Sequence, residues 1–248
     1  MANKFIHTWG QRAISFLQHP QAMLLRRKGV ISDIFIKLDQ PWIHDLGIKT
    51  VLDIGGNVGR FSKTMEYLFP DAKVIAFEPL PSCYDEMLSL MEGSQNFKAY
   101  NIGLGETDAE MEMEESNHNP SSSLLPMADL HKNAFPKAAG GKKRLVKVKK
   151  LDDLIDELNL SKSIMIKVDV QGFEKQVIAG GIEVFSKAKL LFLELSFQEL
   201  YEGQPFFDDI YKMLIPLGFR FYGNFSLMKH PKTGIPLDGD CVFVNENI

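Results

Sequence analysis

The chain has 248 residues, enough for one sizeable α/β domain with additions or for two small ones. Apolar residues make up 45% and charged residues 24%, a globular balance that excludes fibrous and disordered classes. The net charge of −4 gives no reason to expect nucleic acid as a partner, and no apolar run approaches the ~18–20 residues that cross a bilayer. Cys83 and Cys241 lie far apart in no CxxC pairing, which argues against a disulfide framework or cysteine metal site and fits a reducing, cytoplasmic location. No Asp or Glu precedes Asp33, whereas Lys4, Arg12, Arg26, Arg27 and Lys28 do. Phe5, Ile6, Trp9, Ala13, Phe16 and Leu17 recur at helical spacing. Residues 4–18 therefore read as an amphipathic helix that packs its stripe on the main domain; a transit peptide or a membrane-surface helix would show the same pattern. Residues 1–48 are expected to form a helical extension, and 49–248 the main domain.

From residue 49 onward, apolar strand-like runs alternate with helical patterns. Lys49–Ile54 reads as a first strand, followed by a helical face of Val58, Phe61, Met65 and Leu68. Lys73–Phe77 is a second strand, and Pro79-Leu-Pro-Ser leads into a helix with the face Tyr84, Met87, Leu88 and Met91. Phe97–Ile102 is a third strand. Later come Ile164–Val168, a helix over Glu174–Ala179 stopped by Gly180-Gly181, and the strand Leu190–Leu195. A helix over Phe206–Leu217 precedes strands near Phe219–Tyr222 and Cys241–Val244. Such alternation implies βαβ units and a mostly parallel sheet, closed by an antiparallel hairpin at its edge.

Residues 106–150 break the rhythm. Glu110, Glu112 and Glu114 alternate with Met111 and Met113, and Lys147 and Lys149 alternate with Val146 and Val148. Two period-two stretches predict an inserted hairpin whose acidic and basic faces match, at roughly 0.2–1 kcal/mol per cross-strand pair. That pairing also removes GKKRLVKVKK as a nucleic-acid signal. Between the strands, the polar loop Asn117–Leu130 is long enough to reach over a neighbouring site.

The turn after the first strand reads Asp53-Ile-Gly55-Gly56-Asn57-Val58-Gly59. A phosphate-binding GxxxxGK[ST] loop is absent, since Gly141-Lys142 is followed by Lys143. A GxGxxG dinucleotide turn fails in both frames. The acid-x-Gly-x-x-x-Gly spacing that does fit resembles motif I of class I S-adenosylmethionine-dependent methyltransferases, with Asn57 where many members carry glycine. Gly55 and Gly56 leave room for the backbone to approach a bulky ligand. The helix after Gly59 offers open N–H groups and a positive dipole end, worth ~0.3–1 kcal/mol to a carboxylate. Asp53 can attract an ammonium, so a ligand bearing both groups suits this turn. Glu78, ending the second strand before Pro79, can accept two ribose hydroxyls, a device NAD-binding proteins share. Asn101 and Gly103, ending the third strand, are natural neighbours of an adenine.

A second cluster reads IMIKVDVQGFE over residues 164–174. Lys167 inside an apolar strand needs a partner. Asp169, two residues on, and Glu194, in the neighbouring strand, are the candidates. With VLDIGGNVGRFS, AFEPLP, NIGLGE, SSSLL, VKKLDDL, IKVDVQGFEKQVIAGG and LLFLELS in this order, the chain from about Thr50 to Phe221 resembles the FkbM family of methyltransferases. The resemblance implies a Rossmann-like, seven-stranded sheet and methyl transfer from S-adenosylmethionine, usually to oxygen. Sugar, glycolipid and polyketide hydroxyls are the acceptors it implies. The family's usual Asp-Val-Glu-Gly carries Gln171 at its third position here. Either a carboxylate that binds a metal or takes a proton has become an amide, or the side chain caps the next helix.

With the ligand lying over the carboxyl ends of the central strands, Asp169 is expected as general base or substrate anchor. Lys167 then fixes its charge, and Glu194 supplies a second polar contact. The alternative for Lys167 and Asp169 is a purely structural ion pair. The six histidines form no HxxxH pair, so no dedicated zinc site is expected, and a magnesium ion held by Asp169 and neighbouring oxygens has no support in the sequence; His118 and His131 flank the serine loop. Two other functions compete. A sugar oxidoreductase or epimerase using NAD(P) needs a GxGxxG turn and usually a YxxxK pair, and neither is present. A non-catalytic S-adenosylmethionine-binding module predicts decay of the turn or of Glu78, and both are intact. The N-terminal 48 residues and the 106–150 insertion are expected to wall the acceptor pocket.

Overall fold

A computed structural model describes residues 24–248. The expected helix over residues 4–18 lies outside the described residues. In chain order the elements that shape the site begin with helices α1 (Ser32–Leu38) and α2 (Pro41–His44), strand β1 (Thr50–Ile54) and helix α3 (Arg60–Leu68). Next are β2 (Lys73–Phe77), α4 (Pro81–Leu90), β3 (Phe97–Tyr100) and the two-residue β4 (Gly103–Leu104). The insertion supplies β5 (Ala109–Ser116), α5 (Asp129–Ala134) and β6 (Gly141–Lys149). After the short helix α6 (Ile155–Leu158) come β7 (Ile164–Val168), α7 (Glu174–Ala179), α8 (Ile182–Ser186) and β8 (Ala188–Ser196). The chain closes with α9 (Phe207–Leu214), β9 (Phe219–Asn224), β10 (Met228–Lys229) and β11 (Pro236–Asn245).

The main sheet runs β10-β11-β8-β7-β1-β2-β3, with β9 also pairing β11. Because β9 and β10 share the edge of β11 opposite β8, eight strands occupy seven positions, as the resemblance implied. The pairs β1–β2, β1–β7, β2–β3 and β7–β8 are parallel, and β11 alone is inserted antiparallel to its neighbours. Strand residues alternate between two apolar layers. Leu52, Ile54, Ile166, Val168, Leu191 and Leu193 bury against α7, α8 and α9. Val51, Val74, Met165, Leu190 and Val242 bury against α3 and against Phe35, Leu38 and Ile43 of the N-terminal segment. The described part of that segment is thus a layer of the core.

Two helical faces differ in detail from the periodicity. Val58 precedes α3 and packs instead with Leu80 and Cys83. In α4 the buried positions are Cys83 and Met87, while Leu88 stays 43% exposed, because the helix starts at Pro81 and turns its Cys83–Met87 side to the sheet. The third strand ends at Tyr100, and the helix over Phe206–Leu217 is α9 plus a single 3₁₀ turn over Ile215–Leu217.

The insertion is a hairpin, β5 antiparallel to β6, extended by β4 into a three-stranded sheet. Glu110 faces Lys147 and Glu114 faces Lys143, but Glu112 faces Leu145. The ion pairs run diagonally, Lys143 to Glu112 at 2.8 Å and Arg144 to Glu115 at 2.7 Å. Met113, Val146 and Val148 on the other face pack on Leu80 and Cys83, which ties the hairpin to the end of β2 and the start of α4.

Candidate active site

Parallel register puts Asp53 of β1 directly beside Lys167 of β7. Asp53 is fully buried, and Lys167 is 6% exposed. The Lys167 ammonium lies 3.1 Å from Asp53 and 3.6 Å from Asp169, and it donates to the Gly55 carbonyl at 2.6 Å. Burial opposes this ammonium, but Asp53 first and Asp169 second outweigh it and raise its pKa. The other oxygen of Asp53 accepts the Ser62 hydroxyl at 2.7 Å. Asp53 therefore sits beneath the turn, outside the cavity wall, and is no direct partner for a ligand ammonium. Its charge is spent on Lys167.

The glycines also serve the turn itself. Gly55 has φ +76, and a Cβ there would run into the Asp169 carbonyl; a Cβ on Gly56 would lie 2.8 Å from Met87 Cε. Gly59, at φ +81, faces Met87 in the same way. Gly55, Gly56 and Asn57 line the cavity, and the missing Cβ atoms of the two glycines also serve packing against β7's exit and α4. Most N–H groups of the turn are taken: Gly55 and Gly56 by Phe77, Asn57 by Glu78, Val58 by the Asn57 side chain and Gly59 by Gly56. The open donors are the first-turn amides of α3, where Arg60 and Phe61 line the cavity.

Glu78 stands where the sequence places it. Its two oxygens accept the Asn57 and Leu80 amides, each at 2.8 Å. A carboxylate offers about four lone-pair sites, so two remain for hydroxyl donors from a ligand. Burial pushes its pKa up to about 7, against the lowering effect of the Leu80 and Asn57 amides. Pro79 and Gly103 line the same cavity, whereas Asn101 lies outside it and donates to the Glu78 and Pro79 carbonyls at 2.9 and 3.1 Å. Asn101 is a clamp on this corner.

The cavity measures about 640 Å³, within the range of small-molecule sites. One end is the Glu78 corner. The other carries Asp169, Gln171 and Glu194, joined by Asp240 from β11. Asp169 has 37% of its side chain exposed. Gln171 does not cap the next helix, which has no side-chain cap; Glu174 Oε1 ties down the preceding turn by accepting the Val170 and Gly172 amides at 3.3 and 3.1 Å. The Gln171 amide instead donates to Asp169 at 2.8 Å and to Glu194. Glu194 faces Asp240 directly across β8 and β11. Burial first, and then Asp169, Asp238 and Asp240, push the Glu194 carboxyl well above the usual range. Asp238 is held up to about 7, mainly by burial and then by Asp169. Asp238, Asp240 and Arg60 were not singled out in the sequence; the alternation in LDGD was the one available sign of the first two.

The expected walls are present. Ile31 and Ile34 from the N-terminal segment and Asn117–Pro120 from the insertion line the cavity. His118 lines it too, while His131 is buried beneath Phe135 and Tyr201. Among the described residues no group of three His, Cys, Asp or Glu side chains is arranged to hold a metal ion.

The chain is similar to known proteins. Residues 53–221 match the family described as "Methyltransferase FkbM domain". The chain is 29% identical over 160 residues to 2-O-methyltransferase NoeI of Sinorhizobium fredii, and 29% identical over 153 residues to methyltransferase sdnD of Sordaria araneosa. Those matches span 62% and 52% of this chain, and 66% and 59% of the relatives, less than two thirds of their length in each case. The crystal structure of methyltransferase FkbM from Methylobacillus flagellatus KT superposes with a TM-score of 0.48 at 15% identity, over 79% of this chain and 43% of that one. The chain belongs to the FkbM methyltransferase family.

Proposed function

We propose that this protein transfers a methyl group from S-adenosylmethionine to a hydroxyl of a sugar, glycolipid or related small acceptor. The observation that carries the reading is a single cavity with a hydroxyl-accepting carboxylate, Glu78, at one end and an accessible acid, Asp169, at the other. The donor set fits the methyl donor: Glu78 has spare lone pairs for a vicinal diol, and the α3 amides with Arg60 suit a carboxylate. Gly103 and Pro79 border the space for an adenine. When bound, S-adenosylmethionine supplies an electrophilic methyl group.

The chain's own work is then positioning and proton transfer. Asp169 accepts the proton of the acceptor hydroxyl at its free carboxylate oxygen. Lys167, anchored by Asp53 and Gly55, keeps a positive charge 3.6 Å from that carboxylate. Glu194 offers the acceptor a second polar contact. The N-terminal 48 residues and the 106–150 insertion are, in this reading, acceptor-side additions to a methyltransferase domain spanning 49–248. The 29% identity to a 2-O-methyltransferase favours an oxygen acceptor. The acids lining the cavity disfavour a nucleic-acid backbone. Among the described residues no helix is long and apolar enough to cross a membrane, and both cysteines are free and buried, which supports a reducing cytoplasmic setting.

The test is a labelled-methyl transfer screen over sugars, glycolipids and small phenols, with mass location of the methyl group. With an acceptor in hand, Asp169→Asn is expected to lower kcat by ~10²–10⁴-fold while the affinity for S-adenosylmethionine is retained. Transfer at the wild-type rate removes Asp169 from the mechanism.

A further inference from the structure

Gln171 departs from the family pattern at a position where a side chain does unusual work. It sits in the turn between β7 and α7 at φ +56, a left-handed conformation uncommon outside glycine. Both hydrogens of its amide nitrogen are used, one toward Asp169 Oδ1 at 2.8 Å and one toward Glu194 Oε2. Its amide oxygen accepts the Tyr201 hydroxyl at 2.8 Å, and its backbone carbonyl accepts the Ser123 hydroxyl at 2.6 Å. Ser123 comes from the insertion, and the Tyr201 hydroxyl also lies 3.0 Å from the Ser121 carbonyl. The turn is packed tightly from that side: a Cβ on Gly172 would meet Gln204, Tyr201 and Leu125 at 3.1–3.3 Å.

An amide bridging two carboxyl groups has a direction. Turned over, it would set an oxygen against two carboxyl oxygens, and only its neighbours decide between the two orientations. Tyr201 is 2% exposed. Burial, and then Glu194 and Asp169, raise its pKa far beyond neutrality, so the hydroxyl remains a donor. Its one hydrogen has two acceptors in reach, the Gln171 amide oxygen at 2.8 Å and the Ser121 carbonyl at 3.0 Å, and given along the shorter contact it fixes the amide oxygen there and the amide hydrogens on the acids. A glutamate at 171 would add a third acid to the group, and its carboxylate donates nothing.

We propose that Tyr201 and Ser123 are positioning residues that orient Gln171, so that its amide hydrogens bridge Asp169 and Glu194 and hold a negative charge on that pair. The proposal deepens the reading of Asp169 as the base and rests on it for its catalytic meaning. The charges around the pair make the bridge necessary. Glu194 meets Asp169 just past β7 and Asp238 and Asp240 on β11, and Tyr201 and Glu174 add no positive charge. Two cations face the group: Lys37, which acts on Asp240, and Lys167, which is closer to Asp53 than to Asp169. The insertion thus acts on the acids through Ser123 and Tyr201 without touching them.

The test is a pH titration of ¹³C-carboxyl glutamate signals in the full, ligand-free chain, with the Glu194 signal assigned by its loss in Glu194→Gln. Amide donors favour the ionised form, so losing them raises the midpoint. Tyr201→Phe is expected to move the Glu194 midpoint up by about one pH unit, and Gln171→Leu by at least as much. Other glutamates should stay in place. Ser123→Ala, which leaves the Tyr201 ring untouched, is expected to move it in the same direction by less, and it carries the test if Tyr201→Phe does not fold. A Glu194 midpoint unchanged in Ser123→Ala and in any folded Tyr201→Phe overturns the proposal. No ligand is present in this titration, so a failure of S-adenosylmethionine to bind would remove the functional reading and leave the titration result standing.

Discussion

Beneath the glycine turn, a carboxylate and an ammonium are sealed together, and removing either strands the other. Breaking a buried pair of this kind costs roughly 3–5 kcal/mol. Lys167→Met should therefore lower the urea midpoint sharply, and Asp53→Asn added to it should restore much of the loss. Equal loss in the single and double variants would show that the pair is not coupled. Glu78 gives a pH signature of its own. An unfolded glutamate releases its proton near 4.5, whereas the folded group holds it to about 7. The stabilisation is complete below the lower value and is lost as pH rises through the upper one, on the order of 3 kcal/mol in all. The ligand-free protein should thus lose stability from pH 5 to pH 7.5, and Glu78→Gln should flatten that slope. Affinity for an adenosine ligand should run the other way, rising from pH 6 to pH 8 as the carboxylate ionises. Titration calorimetry at both pH values checks the sign.

At the scale of elements, what was legible in the sequence was what repeats. Apolar runs of five residues with helices between them announce β1, β2, β7 and β8, and charge alternation announces the β5–β6 hairpin. Contacts set by register were hidden. Nothing local says that Asp53 lands beside Lys167, so the sequence offered Asp169 and Glu194 as the lysine's partners; Asp169 is one, at 3.6 Å, but the closer carboxylate is Asp53 at 3.1 Å. The same blindness covers Tyr201, which reaches Gln171 from thirty positions downstream. It also covers Asp240, which meets Glu194 only because β11 runs antiparallel beside β8. The glycine turn was recognised by its spacing, but its packing reason was hidden: Gly55 is also glycine to clear the Asp169 carbonyl. Gly55→Ala is accordingly expected to cost at least ~1–2 kcal/mol from its left-handed backbone alone, with added loss of donor binding as the turn shifts off β7. A wild-type melting temperature would contradict that packing argument.

Over the whole molecule, three pieces of chain separated in sequence meet at one cavity: the N-terminal segment through Ile31 and Ile34, the central sheet, and the insertion through Asn117–Pro120. The sheet supplies Glu78, Asp169 and Glu194, and the two additions supply the remaining walls. The family match, residues 53–221, covers the sheet from within β1 to the start of β9 together with the insertion, and leaves the N-terminal wall, β10 and β11 outside it. Everything said of the acceptor depends on the cavity being a methyl-donor site. Titration of the full chain by calorimetry with S-adenosylmethionine and, separately, with NADH tests that most directly. Saturable binding of S-adenosylmethionine that weakens in Glu78→Gln, with no heat from NADH, is the predicted result. Tight binding of NADH with none of S-adenosylmethionine would contradict it.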